Sequence, residues 1–185
     1  MKHNLTASYR NVRIRPLCEN DLELLRVWRN DSNLTTYLAD IGTITPQMQY
    51  AWYERDNADE NCYTFAIEEI CELKRCVGSV AIYNFKDSSA VFGRFLIGDK
   101  ETKGKGIGFI AAVLCLYLGF EELGLETITS NIHEDNIASL KTTLKSGFAV
   151  SGKRQNDDGI NEVNIAVERD YFYKAHDFLD KIELE

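Results

Sequence analysis

At 185 residues, with 44% hydrophobic and 27% charged side chains, the chain suits one domain large enough to bury a sizeable core without disulfide or metal staples. A formal charge of −8 argues against a nucleic-acid partner, because neutralising phosphates needs a basic face; it suits a cationic partner better, although most of the carboxylates read as a solubility device. Five cysteines without paired C-x-x-C spacing and three scattered histidines predict reduced, mostly buried thiols and no metal site.

The first ten residues lack an apolar leader core. The longest apolar run, Ile107 to Phe120, is too short and too glycine-punctuated to span a bilayer, so a cytoplasmic protein without a membrane partner is expected. In chain order, Val12, Ile14 and Leu17 with Pro16 predict a short edge strand, and Asn20 or Asp21 can cap a helix carrying Leu22, Leu25 and Trp28. Thr45-Pro46 is a second helix start, running through Met48 and Trp52 to about Arg55. Cys62 to Ile70, Val77 to Phe85 and Val91 to Ile97 are β-branched or aromatic runs joined by short polar turns, which predicts an antiparallel meander.

Next comes Lys103-Gly104-Lys105-Gly106-Ile107-Gly108, which opens into a helix apolar on nearly every face and therefore buried against a sheet. A glycine-rich turn at a helix N-terminus aims unpaired N–H groups and the positive end of the helix dipole at an anion, and Lys103 and Lys105 add charge there. Without Cβ atoms at 104, 106 and 108 a pyrophosphate can approach closely. The P-loop requires a Lys-Ser/Thr pair where this chain has Phe109-Ile110, and the dinucleotide fingerprint needs its third glycine one residue later. A plain helix-start turn is the bland alternative.

Thr127 to Ile132 then reads as a strand parallel to the one before the loop. Asp135 or Asn136 caps a helix that ends at Ser146-Gly147. Phe148 to Lys153 and Val163 to Val167 form a strand pair around Asn156-Asp157-Asp158-Gly159, and Tyr171 to Leu184 reads as a terminal amphipathic helix.

This element order, and a basic residue followed by x-x-Gly-x-Gly, resemble the GNAT acyltransferases, with Lys103 where that family usually has Arg or Gln. Ile97-Gly98-Asp99-Lys100, the glycine loop, and Asn136-Ile137-Ala138-Ser139 leading to Lys145-Ser146-Gly147-Phe148 are similar to its RimJ/RimL-type branch. The resemblance covers nearly the whole chain. It implies a single domain over residues 1–185 with an α/β (α+β) fold, in which a mixed, mostly antiparallel central sheet splays between two parallel strands and is flanked by helices.

It further implies that acetyl-CoA, the acyl-donor substrate, lies in that splay, along Phe95, Leu96 and Ile97, with its pyrophosphate on Lys103, Gly104, Lys105, Gly106, Ile107 and Gly108 and its pantetheine near Asn136. A primary amine attacks the thioester directly, which calls for a group that takes a proton from the ammonium and one that returns a proton to the thiolate. Many relatives use a tyrosine four residues before the Gly-Phe pair as the thiol's donor; Thr143 stands there, so the RimL-like pattern makes Ser139 the catalytic donor, with Asn136 beside it. Both also read as ordinary helix-start residues.

Candidates for the base are Asp157, Asp158, Glu162 and Glu134, each of which also reads as a solvated surface group; His133 reads as structural. Cys115 is too apolar in setting to be a nucleophile. The acceptor contacts are expected among Trp28, Arg29, Asn30, Tyr37, Trp52 and Tyr53, with core packing the simpler role for both tryptophans.

The RimJ/RimL resemblance makes a protein N-terminus the leading acceptor. Alternatives are a small-molecule amine, either a polyamine or an amino-sugar nucleotide, and a non-catalytic coenzyme A-binding regulatory module. A homodimer is compatible with all of these.

Overall fold

The computed structural model describes residues 3–38 and 41–185. Its strands, β1 (Ala7–Tyr9), β2 (Val12–Pro16), β3 (Cys62–Glu69), β4 (Arg75–Lys86), β5 (Ser89–Ile97), β6 (Thr127–His133), β7 (Ala149–Gln155), β8 (Asn161–Glu168) and β9 (Glu183–Leu184), form one sheet in the order β7-β8-β6-β5-β4-β3-β2-β1-β9. Every neighbouring pair is antiparallel except β5 and β6, which run parallel.

Both faces of the sheet are covered. The apolar α4 (Ile107–Glu121) lies on one face with Phe65, Ile67, Val80, Ile82 and Phe92. On the other face α1 (Leu22–Arg29) and α3 (Pro46–Ala58) bury Leu22, Leu25, Trp28 and Tyr53 against Ala66 and Cys76. The alternation of Phe65, Ala66 and Ile67 between these two cores is the period-2 geometry of a strand buried on both sides. Between α1 and α3 lies the four-residue α2 (Ser32–Thr35); Thr45 caps α3 by accepting from the Met48 N–H.

Two features of β5 shape the site. It pairs with β6 only from Ser89 to Val91, opposite Thr127 to Thr129, and beyond that point the two strands diverge. It also carries a bulge: Ala81 faces Gly93 while Ser79 faces Leu96, so one extra residue is inserted around Arg94, whose φ is 50°. The bulge changes the phase of the strand, turning Phe95 and Ile97 toward the α4 core and Arg94 and Leu96 toward α1 and α3.

Two expectations are corrected. Strand β2 is interior, not an edge, because β1 and then β9 add outside it; segments of three and two residues show no periodicity to read. The tail is not one helix. Helix α6 (Arg169–Ala175) stops where His176 turns extended, its ring hydrogen-bonded to the Ser146 carbonyl at 3.1 Å and packed among Phe109, Phe172 and Phe178. Only a short turn and β9 follow.

Candidate active site

The divergence of β5 and β6 opens a cleft of about 270 Å³ that gathers Phe95, Leu96 and Ile97 from β5, Gly108 from α4, and Asn136, Ser139 and Thr142 from the start of α5 (Ile137–Lys145). At its mouth, Gly104 and Gly106 have φ of 79° and 74°, and a Cβ on either would point into open space. This is left-handed backbone that glycine alone adopts without strain, and it leaves the first N–H groups of α4 facing outward.

Lys103 and Lys105 are exposed beside the loop, with Lys105 bonded to Glu72 at 2.7 Å. Ile107 departs from the expectation in one respect: its side chain is 1% exposed in the core, so only its backbone can meet a ligand.

The Asn136 carboxamide caps α5, accepting from the Ser139 N–H at 3.1 Å, and both residues line the cleft. The Ser139 hydroxyl has no protein partner among the described residues. Thr143 turns inward instead, fully buried, with its hydroxyl on the Ser139 and Leu140 carbonyls at 3.0 and 3.2 Å. Tyr37, expected among the acceptor contacts, stands at this cleft, its ring 5.0 Å from that of His133. The loop following α2 carries it there, which no local pattern reveals.

Across Leu96 lies a second cavity of about 390 Å³, bounded by α1, α3 and the outer face of β5. Leu38 and Leu96 belong to the walls of both spaces. Its lining is mainly apolar, with Leu25, Ile44, Met48 and Trp52, and its polar members are Arg29, Gln49, Arg55, Thr64, Ser79 and Arg94. The Asn30 amide fixes Ile44 at one wall by bonding both its carbonyl and its N–H at 2.9 Å.

Arg94 bonds Asp56 and Thr64, and its guanidinium lies 5.6 Å from the Trp52 ring and 4.9 Å from the Tyr83 ring. Trp28 and Tyr53 belong to the core; the Tyr53 hydroxyl donates to the Leu17 carbonyl at 3.5 Å.

Neither space is lined by an Asp or Glu among the described residues. Of the expected bases, Glu162 pairs with Arg154 at 2.8 Å and Glu134 accepts from Asn161 at 2.6 Å, while Asp157 and Asp158 are exposed in the β7–β8 turn. His133 uses Nδ1 to accept the Asp135 N–H at 3.1 Å, in keeping with a structural role. Cys115 is wholly enclosed in α4, where burial pushes its thiol pKa up.

The family described as "Acetyltransferase (GNAT) domain" matches residues 11–149, most of the chain. The chain belongs to this family. The GNAT chain has that family's fold, a mostly antiparallel sheet with one parallel pair and flanking helices.

An uncharacterized protein of Methanocaldococcus jannaschii, MJ1062, is 28% identical over 154 residues, which make up 82% of this chain and 31% of that protein. The chain thus spans about a third of the length of that relative. A spermidine N-acetyltransferase from Vibrio cholerae, solved with CoA and spermine, superimposes with a TM-score of 0.77 at 19% identity, covering 88% of this chain and 98% of that one. An aminoglycoside acetyltransferase solved with coenzyme A and kanamycin gives 0.74 at 19% identity, with the same coverage. No described helix of the GNAT chain is long and apolar enough to cross a membrane.

Proposed function

We propose that the protein moves the acetyl group of acetyl-CoA to a primary amine by direct attack, as one domain acting in the cytoplasm. The observation that carries this reading is the divergence of β5 and β6 directly beside a glycine-capped helix N-terminus. An extended pantetheine arm can add to the unpaired end of β5 like a strand, with the pyrophosphate on the N–H groups at residues 104–108. Backbone N–H near Leu96 and Ile97 would then polarise the thioester carbonyl and hold the oxyanion of the tetrahedral intermediate.

The amine approaches through the second cavity, past Leu96. Its nitrogen attacks the carbonyl carbon, the C–S bond breaks, and the leaving thiolate takes a proton from Ser139, a cleft hydroxyl without a protein partner among the described residues. With no Asp or Glu in the described lining, the amine's own proton leaves to water, which relays one back to Ser139 and restores its hydroxyl. Asn136 holds the start of α5, and with it Ser139, against the cleft.

The RimJ/RimL-like motifs favour a protein N-terminus as acceptor. The walled shape of the second cavity favours a small-molecule amine as the other reading, and the spermine and kanamycin complexes of the two neighbours are consistent with it. A homodimer is compatible with either.

The test is thiol release from acetyl-CoA with a panel of amines, run beside Gly106→Glu. That variant puts a negative side chain, on strained backbone, at the phosphate site. Acceptor-dependent release in the wild type and a loss of coenzyme binding in the variant are expected. Equal thermal stabilisation of both proteins by coenzyme A would remove the loop from the site.

A further inference from the structure

The acceptor cavity carries the opposite sign to the molecule around it. Among the described residues Arg13, Arg15, Arg26, Arg75, Arg94, Arg154 and Arg169 each have a carboxylate partner. Among the same described residues Arg29, like the exposed Arg55 of the same cavity, has no carboxylate, carbonyl or ring partner, although Arg29 is only partly exposed and burial lowers its pKa from the usual value. A half-desolvated guanidinium without a counter-ion is costly, and an anion recovers that cost.

Gln49 supplies a second, independent sign. It is 6% exposed, lines the same cavity, and its carboxamide bonds to no protein group among the described residues. Without a protein partner, that amide is open to water or to a polar atom of a ligand in the cavity. Arg29 also borders a neighbouring hollow of about 410 Å³ lined by Ser32, Thr35, Thr36 and Thr43, so it stands between an apolar chamber and a hydroxyl-lined one.

From this juxtaposition we infer that the acceptor is a primary amine that also carries an anion, a phosphate or a carboxylate, held by Arg29 at the junction of the two chambers while Gln49 reads a polar atom of its body. The inference rests on the transferase reading and narrows its substrate. A polyamine or an aminoglycoside would bring further ammonium groups into a space whose charged lining, among the described residues, is arginine alone. An anion-bearing amine meets the reverse situation. Its anion pairs with Arg29, and the positive surroundings favour the neutral, nucleophilic form of its amine, which suits a site with no Asp or Glu in its described lining.

Two sources supply this chemistry: the phosphates of an amino-sugar nucleotide and the acidic side chains next to a protein N-terminus. The experiment measures kcat and KM with an amino-sugar nucleotide, with an acidic N-terminal peptide and its neutral counterpart, and with spermidine and kanamycin. Wild type, Arg29→Gln and Arg29→Lys are compared, with melting temperatures to check folding. We expect one anion-bearing amine to be the best acceptor. Its KM should rise about ten-fold or more in Arg29→Gln and recover in part in Arg29→Lys, while the neutral peptide changes little. Whichever anionic amine shows this response identifies the source.

Preferred turnover of spermidine or kanamycin, or an equal effect of Arg29→Gln on anionic and neutral amines, would overturn the inference. If no amine releases thiol, the transferase reading fails, and calorimetric binding of the same amines decides the rest. Binding lost in Arg29→Gln upholds the anion site, and binding that is absent or indifferent to Arg29→Gln ends it.

Discussion

Thr143 occupies the position where many relatives carry a catalytic tyrosine, and its hydroxyl is spent inside the helix on the carbonyls of Ser139 and Leu140. Ser139, one turn earlier, faces the cleft. These two neighbours therefore make a clean comparison. Ser139→Ala should lower kcat roughly 100-fold while leaving KM for acetyl-CoA nearly unchanged, as expected when a general acid is removed. Thr143→Val keeps shape and gives up only a back-bonded hydroxyl, so kcat should stay within about two-fold. Steady-state kinetics on both variants decides it; equal small effects would move the donor role to Tyr37, since the Thr142 hydroxyl of the same cleft is bonded to the Ala138 carbonyl. The RimL-like resemblance, through its Asn-x-x-Ser pattern, pointed to Ser139 beside Asn136. It gave no sign of Gln49 or of the solitude of Arg29, since lacking a partner is a property of the whole fold and not of a residue's neighbours in sequence.

At the scale of elements, β5 does the most. Its apolar run and its parallel partner could be read from β-branched residues and from the helix between them. The bulge at Arg94 could not, because nothing in Gly93-Arg94-Phe95 demands an extra residue until β4 is laid alongside. The end of β5 is also where α1 docks. A Cβ on Gly98 would collide with the indole of Trp28, so this glycine is needed for close approach, and the Ile97-Gly98-Asp99-Lys100 motif has a packing reason in addition to its family resemblance. Asp99 of that motif accepts the Glu101 N–H and pairs with Arg75, each a local structural bond. Gly98→Ala should cost about 1–3 kcal/mol in urea unfolding, the usual range for overpacking, and raise KM for acetyl-CoA by shifting the cleft wall. A loss below about 0.5 kcal/mol would mean that Trp28 finds another rotamer at no cost.

For the molecule as a whole, net charge and the charge of one cavity are separate quantities. A sum of −8 averages over a surface on which most arginines are paired, and it conceals a cavity whose charged lining among the described residues is basic. What the carboxylates do for the fold is clearer. Asp21 is buried on the α1 side, where desolvation alone would raise its pKa, yet hydrogen bonds from Arg15 and the Cys18 N–H hold it below the ordinary 3.8. Glu69, also buried, is likewise held below 4.5 because the N–H groups of Leu73, Cys71 and Glu72 and the Asn11 amide outweigh desolvation. Both groups bind protons more weakly in the folded chain than in the unfolded one. Their contribution is complete above the unfolded pKa values and is lost as pH falls through the lower, folded ones. Stability should therefore be flat near neutrality from these groups and decline as the pH drops below about 4.5. Asp21→Asn should cost about 2 kcal/mol at pH 7, since Arg15 then keeps only Glu68 as a charged partner, and should narrow the gap between pH 7 and pH 3. Urea titrations of both proteins at the two pH values measure that gap; if the variant loses as much stability on acidification as the wild type, the acid sensitivity lies with other carboxylates and not with the Arg15 pair.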